Sequence, residues 1–320
     1  MFKHILKAAL LSAPLLFTAT GCDDPFTIKD SQLKEGGVYV TYVQDQGCTG
    51  CEALSRGDLI QKLDGNAVAS ATDLKSLTDG QPHSVEFWDA SAGAAATTSI
   101  TAEPNNSMPP IKDAPPFWSV SSDELKKTPS WARRRLFGHA VPQILLVNSD
   151  GGFVNGRDLY GKKHLVVMFD WAASSDRQNG ALTMQVLQKA QADLKAKGID
   201  IVFAQVKHPQ QRDIAPMNDT DLRQFFSDNQ VGPAEGGPLP PPPLYRMPNK
   251  TEDNPTRVLG LEGAFTFYEA IGEAPNIFLI NEDGIIVWHS AGATPDPEGK
   301  ISVDMVYTIN KTVLFALENL

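Results

Sequence analysis

Prolines at positions 104, 109, 110, 115, 116 and 129 crowd the stretch between Glu103 and Pro142. Each proline fixes its own φ and removes a backbone donor, so no long helix or central strand runs through such a stretch. A chain of 320 residues has length for about two domains. The expected division is a domain over residues 36–102, a linker over 103–137 carrying a short helix around Ser122 to Leu136, and a second domain over 138–320. A further biased tract, residues 231–256, holds a polyproline core at Pro240 to Pro243 and reads as an insertion in the second domain, a surface loop or a rim over its site.

At the amino terminus Lys3, His4 and Lys7 precede an apolar run from Ala8 to Phe17, which leads into Ala19-Thr20-Gly21-Cys22. This is a secretion-signal pattern. Small residues before a cysteine resemble a bacterial lipobox. That resemblance implies a signal peptide over 1–21, acyl chains on Cys22 and a lipidated tether over 22–35. It also implies a periplasmic-side location in the envelope, and Asp23 after the lipidated cysteine weakly favours the inner membrane. Two alternatives stay open, a plain cleaved signal with Cys22 as a free thiol, and an uncleaved anchor. The apolar run is shorter than the roughly 20 residues that span a bilayer.

The remainder, 42% hydrophobic and 21% charged overall, has the composition of a soluble globular protein. A net charge of -10 argues against nucleic acid or an anionic lipid surface as a partner. The Arg133-Arg134-Arg135 cluster reads as a solvated face of the linker helix.

In the first domain, Gly37 to Val43 has the apolar content of a strand, and Leu59 to Val68 reads as two short strands around a tight turn at Asp64-Gly65-Asn66. A small helix from Ala71 to Leu77, capped by Ser70 or Thr72, and strands near Ser84 to Trp88 and Thr97 to Thr101 complete the segment. The motifs GVYVTYV, SRGDLIQKLDGNAV and ATDLKSL resemble a PDZ domain of the bacterial type. The resemblance implies capture of an extended peptide as an added strand. Residues 30–37, however, lack the glycine-apolar repeat that often receives the peptide carboxylate. A packed module that spaces or docks its neighbour is the other reading.

In the second domain, Leu165 to Phe169 and Ile199 to Val206 are buried-strand runs separated by a helix from about Ala181 to Lys197. Farther on, Ala274 to Trp288 reads as strand, turn and strand, and the last helix is built on Val303, Val306, Val313, Leu314 and Leu317. This order resembles the thioredoxin-like superfamily, nearest its membrane-associated thiol oxidoreductases and redoxins. The fold class expected is therefore mixed, a small β-rich PDZ-like domain followed by an α/β thioredoxin-like domain.

The resemblance implies a cis-proline groove at Ala274, Pro275 and Trp171, and two cysteines at the start of the helix after the central strand. Here the segment runs Trp171-Ala172-Ala173-Ser174-Ser175-Asp176-Arg177-Gln178-Asn179-Gly180. Aligned on Trp171-Ala172, Ser175 and Gln178 fill the cysteine positions; aligned on the helix, Arg177 and Gly180 do. Neither register holds sulfur, and no histidine or acid is spaced to activate a serine hydroxyl.

The remaining cysteines form a CxxC at Cys48 and Cys51, inside the first domain. Three roles fit it: a structural disulfide, a redox pair, or half of a metal site that no second CxxC completes. No catalytic residue, metal site or cofactor is assigned. The function expected is that of a membrane-anchored envelope lipoprotein binding or scaffolding envelope proteins or peptides. The alternative is a thiol-disulfide oxidoreductase, or a redoxin-type antioxidant protein, working through Cys48-Cys51.

Overall fold

A computed structural model describes residues 28–43, 47–103, 117–134, 136–141, 145–148, 152–169, 174–205, 219–229, 244–246, 276–291, 294–295, 301–302 and 305–320. Cys22, Trp171, Ala274, Pro275, the polyproline core and the whole signal segment lie outside them. Among the described residues no helix is long and apolar enough to cross a membrane.

The first unit is one antiparallel sheet. Its strands are β1 (Val38–Val43), β2 (Cys48–Thr49), β3 (Leu59–Leu63), β4 (Asn66–Ala67), β5 (Pro82–Asp89), β6 (Ala94–Ala102) and β7 (Phe117–Ser121), in the order β2-β6-β5-β3-β1-β7 with β4 paired to β3. Asp64 and Gly65 both take positive φ, 50° and 80°, as the two central residues of a tight hairpin turn require. The expected small helix is a 3-10 helix over Ala71–Thr78. The Asp73 carboxylate accepts hydrogen bonds from the backbone N–H groups of Ala69 and Ser70 at its start. Its Leu74 and Leu77 are fully buried beside Val38, Val40, Ile60 and Phe117.

β7 departs from expectation, because it lies inside the segment read as linker. It pairs with β1 from Val38 opposite Ser121 to Val43 opposite Phe117. Phe117 is 0% exposed in the first unit's core, while Val120 packs with Tyr39, Leu59 and Leu125 on the other side. Burial on both faces holds a strand that two preceding prolines seemed to exclude. The helix after it, α1, stops at six residues (Ser122–Lys127), with the Glu124 N–H donating to the Ser121 hydroxyl and the Ser121 N–H donating back to the Glu124 carboxylate. A 3-10 turn over Ser130–Ala132 replaces the rest of the expected helix.

The Ser119 hydroxyl on β7 is buried and finds no hydrogen-bond partner among the described residues. Ser119→Ala is therefore expected to stabilise the protein by about 1 kcal/mol, by removing an unsatisfied polar group. Chemical denaturation measures it. A loss of stability instead would show that the hydroxyl is bonded.

The second unit contains β8 (Leu145–Asn148), β9 (Phe153–Asn155), β10 (Lys163–Phe169), α2 (Ser174–Ala196), β11 (Ile199–Gln205), α3 (Asp219–Asn229), β12 (Leu244–Arg246), β13 (Asn276–Ile280), β14 (Ile286–Ala291) and α4 (Met305–Asn319). The sheet order is β14-β13-β10-β11-β12-β8-β9. β10 and β11 are parallel, β13 is antiparallel to β10, and β14 is antiparallel to β13. α2 links the parallel pair, and α4 follows β14 and packs on α2. The β10-α2-β11 unit, the β13–β14 pair and the closing helix follow the order of elements read from the sequence.

The unbroken apolar run of β10 reflects burial on both faces. Leu165, Val167 and Phe169 join a core with residues of α2 and α4, while Val166 and Met168 join another with Leu146, Leu159 and Phe278. β12 is the second departure, since it lies inside the tract read as an insertion. It runs parallel to β11 and antiparallel to β8, with Arg246 1% exposed, so that tract contributes an inner strand of the sheet. On α4, Ile309, Val313 and Ala316 are buried, whereas Leu314, expected on the same face, is 51% exposed.

Candidate functional site

The CxxC pair is closed. Cys48 and Cys51 form a disulfide with a Cα–Cα separation of 5.8 Å. Cys48 pairs with Ala102 across the β2–β6 edge and is partly exposed, while Cys51 is 2% exposed in the first unit's core. Gly50 makes the reversal between them possible. Its φ is +87°, and a Cβ there would sit 2.0 Å from the Ser99 carbonyl oxygen. The helical turn opening at Cys51 is three residues long, too short for a helix dipole to build up along it. The ionisable side chain bonded into that turn is Glu52, which accepts from the Gly50 N–H at 2.9 Å. Neither feature favours an anionic sulfur.

At the other candidate site, α2 begins at Ser174, well before the Ala181 expected, so Ser175 lies in its first turn and Gln178 is exposed in the next. A Cβ at Gly180 would meet the Phe169 ring at 2.7 Å. Phe169 in turn stacks on Phe203 and Phe225, at 4.5 and 5.5 Å. A longer side chain at Gly180 would collide with the Phe169 ring. Among the described residues no group of three or more His, Cys, Asp or Glu is placed to hold a metal ion.

The polar groups with the most unusual surroundings lie at neither candidate. They fasten the two units through the segment 128–141. Arg133, read as solvated, is 2% exposed. Its Nε donates to the Thr128 carbonyl at 2.6 Å, and its Nη1 donates to the Ile28 carbonyl at 3.2 Å and to Asp30 Oδ1 at 2.6 Å. Arg56 of the first unit donates to the carbonyls of Thr41, Phe137 and Arg134 at 2.7, 3.2 and 3.2 Å. The Thr41 hydroxyl donates to the Gly138 carbonyl at 2.8 Å. Residues 138–141 then run along the start of β14, through Gly138 N–H to Ile286 O, Ile286 N–H to His139 O and Val141 N–H to Gly284 O at 2.7–2.8 Å.

His289 on β14 is buried within this junction. The Leu136 N–H donates to its Nδ1 at 3.1 Å, so Nε2 carries the proton and donates to Asn276 Oδ1 at 3.2 Å. Burial, reinforced by the charges of Arg134, Arg56 and His139, holds the imidazole well below the usual histidine range and therefore neutral. His164 is also buried, with its pKa lowered by that burial and its Nδ1 3.1 Å from the Lys162 carbonyl. No motif marks Arg56, Arg133 or His289. The signal in the sequence was only that three arginines follow a tryptophan.

No protein-family model and no curated protein matches the chain. Among solved structures it is similar to the thioredoxin domain of a thiol-disulfide oxidoreductase from Bacteroides vulgatus, at 18% identity and TM-score 0.33 over 55% of this chain and 97% of that one. A putative thiol:disulfide interchange protein DsbE from Chlorobium tepidum gives 19%, 0.33, 56% and 95% in the same terms. Copper-bound ScoI from Arabidopsis thaliana gives 11%, 0.34, 57% and 100%. At these values the likenesses carry no argument about function or family.

Proposed function

We propose that the chain is a membrane-tethered lipoprotein of the bacterial envelope that binds or scaffolds other envelope proteins and performs no thiol chemistry in its thioredoxin-like unit. The observation that carries this reading is the placement of sulfur. Ser175 and Gln178 stand at the start of α2, while the disulfide sits in the other unit with one of its sulfurs in the core. A closed pair with one buried sulfur acts as a staple on the β2–β6 edge. In the PDZ-like reading of the first unit, strand addition would use the free side of β1, and that side carries β7. External partners then engage other surfaces.

A specific feature favours the alternative, a redox pair, because the partly exposed Cys48 offers a sulfur for thiol attack. Redox titration of the mature protein separates the two. A structural staple is expected below about -300 mV, with no turnover in a dithiol-coupled insulin assay. A potential near -270 mV, with turnover lost in Cys48→Ser, overturns the noncatalytic reading. The anchor has its own test. Incorporation of labelled palmitate, abolished in Cys22→Ala, is expected, and an unlabelled wild-type chain would remove the lipid from the proposal.

A further inference from the structure

A cleft of about 630 Å³ opens where the junction between the units meets the last helix. Its floor is aromatic. Trp131 stands edge-on to Trp288 at 4.8 Å, and Trp288 packs on Phe315 at 4.6 Å. The Trp288 indole N–H is already used, donating to the Ser290 hydroxyl at 3.1 Å, so that ring offers the cleft only carbon. One wall is a stripe of α4 in which Tyr307, Lys311, Leu314 and Glu318 follow at helical spacing. Lys127 also lines the cleft.

Two features of this cleft are at odds with an idle surface. Leu314 is 51% exposed and lines it, although the neighbouring Val313 is 6% exposed and found a place in the core. The lining also carries two ammonium groups against the single carboxylate of Glu318, in a chain whose net charge is -10.

We propose that this cleft binds a small organic anion with a flat apolar body, of the aromatic carboxylate class. The carboxylate lies between Lys127 and Lys311, and the ring covers Leu314 against the aromatic floor. The volume falls within the roughly 300–1,000 Å³ of small-molecule sites, which favour junctions between structural units. Aromatic rings in offset or edge-on contact with Trp131 and Phe315 add to the burial of apolar area. Lys311 stands 5.5 Å over the Tyr307 ring, which holds its ammonium at the cleft. The inference is independent of whether Cys48-Cys51 is a staple or a redox pair.

The test is isothermal titration of 2-naphthoate into the full chain, with the uncharged 2-naphthamide as its neutral counterpart. One saturable site is expected, with the amide at least about tenfold weaker and the naphthoate weakened as salt rises. Lys127→Gln with Lys311→Gln changes only exposed side chains, and together they are expected to weaken naphthoate about tenfold or more while leaving the melting temperature unchanged. Leu314→Glu is expected to abolish binding. No saturable binding up to about 1 mM, equal affinity for acid and amide, or wild-type affinity in the double variant would each overturn the proposal.

Discussion

Arg133→Met is expected to destabilise the protein by about 3 kcal/mol, the largest loss from any single polar side chain described above. Methionine preserves much of the volume, so the loss reports hydrogen bonding more than packing. The guanidinium serves the buried carbonyls of Thr128 and Ile28 together with the Asp30 carboxylate. Removing it leaves two main-chain acceptors with nothing to replace a strong, charged donor. Asp30 is 69% exposed and regains water, so its share of the loss is small. Arg133→Lys is expected to recover less than half, because one ammonium cannot reproduce the planar fork that reaches three acceptors. Equilibrium denaturation measures both, and a change under about 1 kcal/mol in Arg133→Met would mean the junction does not depend on this cation.

The second large effect is acid lability centred on His289. Its folded pKa lies well below 6.5, with burial as the main cause and the Arg134 and Arg56 charges next. The unfolded chain therefore takes up a proton before the folded one does. Stability is fully present above about pH 6.5 and is lost as pH falls from there toward the folded pKa, at up to about 1.4 kcal/mol per pH unit for one proton. His164, lowered by burial, acts in the same direction. His83 acts oppositely, since hydrogen bonds to Asp64 and then Asp79 raise its pKa, so its contribution is present below about pH 6.5 and lost at higher pH. Both of those carboxylates are largely exposed, and the opposing effect is small.

Denaturation of wild type and His289→Gln between pH 7.5 and 5.5 checks this assignment. The wild type is expected to lose stability across the window, and the variant, starting lower, to lose distinctly less. Parallel curves would remove His289 as the source. Because His289 joins β14 to Leu136, the same protonation is expected to loosen the junction before either core melts.

The elements that the sequence announced are those whose pattern is written within their own length. β10 carries the apolar run Leu165 to Phe169, β11 carries the run Ile201 to Ala204, and the β3–β4 turn carries Asp64-Gly65. β7 and β12 were hidden for a shared reason. A strand of three to five residues next to prolines has no period long enough to read, and each is held by partners distant in sequence, β1 for one and β11 with β8 for the other. The extra length of α2 was hidden as well, because its first turn is polar.

The sequence by itself determined that the chain has three cysteines and that none falls between Leu165 and Gly180, where the central strand leads into α2. Those are facts of composition and order, and no folding alters them. Only the tertiary structure decided which polar groups matter most. Arg133 and Arg134 are neighbours of one residue type, yet the first is 2% exposed and wraps three acceptors while the second is only partly buried. Their difference arises from which carbonyls the packed units bring within about 3 Å of each, a property of chain crossings that sequence spacing does not encode.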